Sequence, residues 1–200
     1  MQKRLCALEM SKHQILCFGV ISDKRTLQGY REDISRDNAL YYNKCAQYLL
    51  ECLGHFMTRY DIPRDDVNIV FERANYNYSA LRNLIRKCQE TPFRGQSKTL
   101  KKINIDQIFN EPKNEEPLLK FADVVAHALY KTVQRGPRDY GLSEFSYIEH
   151  LAGKFYSHDR SGKVVNYGIK PIHNLSELNL DEYALDKFKA MVTVPRPRPE

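Results

Sequence analysis

Two short apolar runs constrain this chain most. "HQILCFGVIS" occupies 13–22 and "VNIVFE" occupies 67–72. Each leads, after a polar loop, into a segment whose apolar residues recur every three or four positions. A change from strand-like runs to the helical period marks a strand followed by a helix. The first run is apolar on both faces, as a central strand requires. In the second, Val67, Ile69 and Phe71 share one face, while Asn68, Val70 and Glu72 share the other.

The helices follow the same logic. Asp37 is a suitable N-cap for a long helix over about 38–60, with a stripe of Leu40, Cys45, Ala46, Leu49, Leu50, Leu53, Phe56 and Met57. A second helix is expected over about 77–90, burying Leu81, Leu84, Ile85 and Cys88. "TLKKINIDQIF" holds a short strand. A helix opened by Pro117 follows, with Leu118, Leu119, Ala122, Val125, Ala126 and Leu129 as its buried face. Three strand–helix repeats imply an α/β sheet covered by helices. After Gly136-Pro137 the pattern changes to a short helix within 143–156, a hairpin turning at Asp159 to Gly162, and a final helix capped by Asp181. The expected organisation is a core over 1–137, a small α+β appendage over 138–194, and a disordered tail over 195–200.

The 200 residues contain 31 Lys and Arg against 25 Asp and Glu, a net charge of +6. This balance mildly favours an anionic partner such as nucleic acid. The denser basic clusters lie at 24–31, 82–87 and 98–102. No apolar run is long enough for a membrane span, and the N-terminus lacks signal-peptide character, so a cytoplasmic protein is expected. Five scattered cysteines without C-x-x-C spacing argue against a zinc module or a disulfide framework. Cys17, Cys45 and Cys52 lie in apolar segments as small core residues. The 13 tyrosines suit base stacking and protein contacts equally.

Two acids stand out. Asp123 interrupts an apolar helix, where an unpaired carboxylate would cost several kcal/mol if buried. Glu72 ends a strand, and strand C-termini in open α/β sheets face the ligand crevice. If the two converge, their oxygens suit Mg²⁺ or Mn²⁺, the ions of metal-assisted phosphodiester cleavage. Plainer readings stand beside this one. Glu72 has Arg73 as a neighbour for an exposed ion pair. Asp123 has His127 four residues on, the spacing of a structural pair on one helix face.

The segments "FER" at 71–73 and "LLKFADVVAHALY" at 118–130, with "VISDK" and "YYNKCAQYLLECLGHF" before them, resemble a bacterial and phage family of uncharacterised proteins with an RNase H-like fold. That family is suspected of metal-dependent nuclease activity. Its last core helix carries an Ala-Asp-Leu-Val-Ala-type motif, matched by Ala122-Asp123-Val124-Val125-Ala126. The resemblance spans about 13–133. It implies an RNase H-like mixed sheet flanked by helices, with Glu72 and Asp123 as catalytic, metal-holding acids for Mg²⁺ or Mn²⁺. The family's opening strand ends in Asp-Glu-Ser-Gly. This chain has no such motif, so the core is expected to be N-terminally incomplete, with Glu9 or Asp23 as conceivable substitutes outside the matching context.

The leading expectation is a Mg²⁺- or Mn²⁺-dependent phosphodiesterase acting on nucleic acid, degenerate for want of its first acid. In it Lys24, Arg25 and Arg73 contact phosphates. The alternatives are a non-catalytic nucleic-acid-binding protein of a phage-defence or prophage system, or an interaction subunit docking through 138–194.

Overall fold

The computed structural model describes residues 2–24, 27, 33–34, 36–74, 76–93, 95–134, 142–158, 162–172, 175–178, 180 and 182–191. Arg25, turn residues 159–161, the Asp181 cap and the 195–200 tail lie outside the described residues. The chain is mixed α/β and divides into two compact units. One comprises Leu27–Lys120; the other joins Met1–Thr26 to Phe121–Glu200. The border expected at residue 137 differs from this division. Val124, Val125, Ala128 and Leu129 share one core with Phe145, Ile148, Leu151, Phe155 and Phe188. The C-terminal segment therefore supplies part of a core that also uses the N-terminal helix, through Ala7 and Met10.

In Leu27–Lys120, helix α2 (Asn38–Arg59) starts where expected: the Asp37 carboxylate accepts from the Ala39 and Leu40 amides. That satisfies donors a helix start leaves unpaired. Strand β2 (Ile69–Glu72) leads into α3 (Tyr78–Glu90), capped by the Asn77 side chain. Two 3₁₀ turns, Gly95–Lys102 and Ile105–Gln107, then deliver β3 (Ile108–Glu111). A crossover of this length allows parallel pairing, and β2 and β3 pair in parallel with Ile69 opposite Ile108 and Glu72 opposite Glu111. Leu50, Met57, Leu81, Ile85, Cys88, Leu100, Ile103 and Ile108 fill the core beneath. Gln89 Nε2 donates to the carbonyls of Leu100 and Ile103 at 2.9 and 2.8 Å, tying α3 to the crossover.

Helix α2 departs from its expected stripe. Leu40 is exposed, whereas Asn43, Gln47 and Glu51 are buried at four-residue spacing. Lys44 Nζ donates to Gln47 Oε1 at 3.1 Å, and Gln47 Nε2 donates to Glu51 Oε1 at 3.0 Å. Thr99 Oγ1 reaches the Glu51 carbonyl at 3.0 Å. Hydrogen bonding within this row offsets the cost of burying it.

In the other unit, α1 (Gln2–Met10) packs on α5 (Ser146–Leu151). Strand β1 (Gly19–Ile21) is shorter than its apolar run and pairs in parallel with β4 (Ile169–Pro171). The sequence had suggested that β4 belonged to a hairpin; its ladder partner is instead β1. Among the described residues the strands form two separate two-stranded parallel sheets, not one sheet. Helices α4 (Leu119–Val133) and α6 (Glu182–Met191) are also formed, and the border between units falls within α4. No described helix is long and apolar enough to cross a membrane. Cys17, Cys52 and Cys88 are buried, Cys6 and Cys45 half-buried, and no disulfide joins any of them.

Gly54 lets α2 approach the backbone at Thr99: a Cβ there would collide with the Thr99 carbonyl. Gly95 has nothing within contact range of such a carbon. Overpacking of this kind costs about 1–3 kcal/mol. Urea denaturation should show Gly54→Ala destabilised by about that much, and Gly95→Ala within about 0.5 kcal/mol of the parent. Equal midpoints for all three proteins would contradict the close packing of α2 on the turn.

Candidate functional site

The register of β2 and β3 builds the site. Side chains alternate along each strand, so Ile69 and Ile108 go to the core while Glu72 and Glu111 emerge together on the opposite face. Like charges directly opposed on neighbouring strands destabilise a sheet. Here each acid takes its own cation from just beyond the other strand's end. Glu72 Oε2 pairs with Lys113 Nζ at 3.4 Å, and Glu111 Oε2 pairs with Arg73 at 3.3 Å. Arg73 is fixed further: its amide donates to the Glu111 carbonyl at 2.7 Å, and its guanidinium reaches the Asn110 carbonyl at 3.4 Å. All four side chains are between about one third and three fifths exposed.

A tyrosine group adjoins this charge square. Tyr78, buried at the start of α3, donates its hydroxyl to the Glu72 carbonyl and tilts its ring against Phe71. Tyr42, near the start of α2, shares a hydrogen bond with Tyr78. Tyr76 lies flat on Tyr42, with ring centroids 3.9 Å apart and planes within 5°. Burial raises the Tyr42 phenol well above its ordinary pKa, and Tyr78, Tyr76 and Glu72 raise it further. Tyr42 is thus a neutral, anchored ring beneath Tyr76, which is 39% exposed.

The sequence-based candidates fare unequally. Glu72 and Arg73 both belong to this group. Asp123 belongs to the other unit and is exposed. The buried face of α4 runs through Leu119, Val124, Val125, Ala128, Leu129 and Thr132. Leu118 is 65% exposed, and Ala122 and Ala126 are exposed with it. Leu119, Val125 and Leu129 are buried as expected, but the face between them turns Asp123 outward, so the desolvation cost anticipated for Asp123 does not arise. His127 is half-buried and meets Tyr147 edge-on at 4.8 Å. Lys24 is exposed just after β1. Glu9 lies on α1, where Lys12 at 2.8 Å holds its carboxyl below the usual range; Asp23 is half-buried in the same unit.

Among the described residues no three His, Cys, Asp or Glu side chains gather into a metal-holding group. Glu72 is engaged with Lys113, and Glu111, the carboxylate beside it, with Arg73. These residues do not fit a two-ion centre. Sequence reasoning missed Glu111, Lys113, Tyr42, Tyr76 and Tyr78. Glu111 and Lys113 fell in a segment read as loop, and the "NYNY" at 75–78, directly after a strand, was the signal for the tyrosines. Comparison with protein-family models, curated proteins and solved structures returns no match.

A phenol that is neutral in the fold and ionises more readily once unfolded makes stability fall as pH rises above about 10, the ordinary tyrosine value. Its stabilisation is fully present below that pH and is lost as pH climbs toward the folded-state value. Stability measured in urea across this alkaline range should therefore decline less steeply in Tyr42→Phe than in the parent. Identical slopes would show that Tyr42 ionises as an ordinary exposed phenol.

Proposed function

We propose that this protein binds nucleic acid through the surface of the Leu27–Lys120 unit, without itself forming a complete phosphodiesterase. The observation that carries the reading is the stacked Tyr42–Tyr76 pair adjoining Arg73 and Lys113 at the C-terminal ends of two parallel strands. Aromatic rings on which bases stack, set beside cations that meet the backbone, are the elements from which single-strand grooves are built. Exposed Arg86 and Lys87 toward the C-terminal end of α3, and Lys98 and Lys101 on the turn packed against that helix, add positive charge to the same unit away from the strand-end group. The net charge of +6 supports the same partner class.

An RNase H-like arrangement with Mg²⁺- or Mn²⁺-dependent cleavage is the second reading. Parallel pairing of β2 with β3 and an acid at the end of β2 speak for it. The commitment of Glu72 to Lys113, and of Glu111 beside it to Arg73, supports the non-catalytic reading instead. A cytoplasmic location also belongs here, supported by five cysteines without a disulfide.

Fluorescence anisotropy with labelled oligonucleotides should show binding whose log affinity falls linearly with log salt. Neutralising Arg73 and Lys113 together should lower affinity and flatten that slope. Cleavage assays with Mg²⁺ or Mn²⁺ should show little or no turnover. Absence of binding at low salt would remove the nucleic-acid reading. Robust cleavage abolished by Glu72→Gln would replace the binding protein with an enzyme.

A further inference from the structure

We infer that the strand-end group takes single-stranded nucleic acid, with an unpaired base stacked on Tyr76, and that Glu111 limits the affinity by holding Arg73. This inference rests on the proposed nucleic-acid reading and specifies what that surface recognises.

The platform is already built. Tyr42 covers one face of Tyr76 at 3.9 Å, leaving a ring that is still 39% exposed. Tyr42 is itself held through Tyr78, whose hydroxyl is spent on the Glu72 carbonyl. A ring supported in this way loses little conformational freedom when a second flat group lands on it, so the stack forms without a large ordering cost. Every base offers a π-face to such a ring, but within a duplex those faces are already stacked on neighbouring bases. Tyr76 therefore distinguishes unpaired from paired strands and is tolerant of sequence.

The charges complete the argument. Arg73 lies three residues before Tyr76 and ends in an exposed pair with Glu111. Such surface pairs contribute little, so a phosphate can compete for the guanidinium. Glu111 opposes this in two ways: it occupies Arg73, and its own negative charge repels the incoming phosphate. Its carboxylate is thus a brake within the binding surface. The matching pair of Glu72 with Lys113 acts in the same sense on the other side of the square.

The test uses the full chain, labelled oligo-dT and oligo-U, and a blunt DNA duplex, in anisotropy titrations over a salt series. Tyr76→Ala should weaken single-strand binding about 5- to 150-fold, the range for losing one base–aromatic stack, with duplex affinity changed less than twofold. Tyr76→Phe keeps the ring and should keep the affinity, which separates stacking from any effect on folding. Glu111→Gln should tighten single-strand binding and steepen the salt slope by about 0.7, one additional phosphate contact. If the parent binds oligonucleotides but Tyr76→Ala binds them equally well, this inference is overturned and the broader reading survives. Weaker binding by Glu111→Gln would overturn the brake. If the parent binds no nucleic acid at low salt, both readings fall together.

Discussion

Parallel, in-register pairing of β2 with β3 puts Glu72 beside Glu111, and the candidate site follows from that contact. Two carboxylates so placed repel unless each finds a cation. The chain supplies the cations crosswise: Arg73, which follows β2, goes to Glu111, and Lys113, beyond β3, goes to Glu72. This arrangement relieves the repulsion between the two acids. It also leaves four partly exposed charges of near-zero sum beside a stacked aromatic pair. A surface of that kind is poised to exchange internal ion pairs for phosphate contacts at small cost, because exposed pairs contribute little on their own.

The packing beneath makes the strand ends rigid. Ile69 and Ile108 anchor the core face of the pair, and Leu81, Ile85 and Cys88 press α3 against it. Arg82 donates to the Ile108 carbonyl, fixing the start of β3. The buried row of Asn43, Gln47 and Glu51 runs along α2, the helix that also carries Tyr42. Replacing these polar residues with apolar ones would keep the helix amphipathic but remove the bonds from Lys44 to Gln47 and from Gln47 to Glu51.

Much of the local structure was legible in the sequence. The Asp37 cap, the 77–90 helix and the face alternation of 67–72 all follow from short-range rules of period and capping, and the observed elements obey them. What local rules left open was set by tertiary pairing. On α4, Leu119, Val125 and Leu129 are buried as their spacing implies, but Leu118, Ala122 and Ala126 match helical spacing as well and are exposed. The grouping of the chain into units was not legible, because burial partners such as Ala7 and Phe188 are nearly the whole sequence apart. The site was half legible. Glu72 and Arg73 stand at the end of an evident strand, but their neighbours Glu111 and Lys113 become visible only once the β2–β3 register is known.

The central claim is that the ring of Tyr76 is the surface on which a ligand base rests. Photo-crosslinking tests it most directly: a single-stranded oligonucleotide carrying 5-iodouracil is irradiated with the full chain, and the adduct is mapped by mass spectrometry. The account predicts a dominant adduct on Tyr76, lost on competition with unlabelled single strand and retained against duplex. Adducts confined to 1–26 and 121–200, with Tyr76 unmodified, would contradict it.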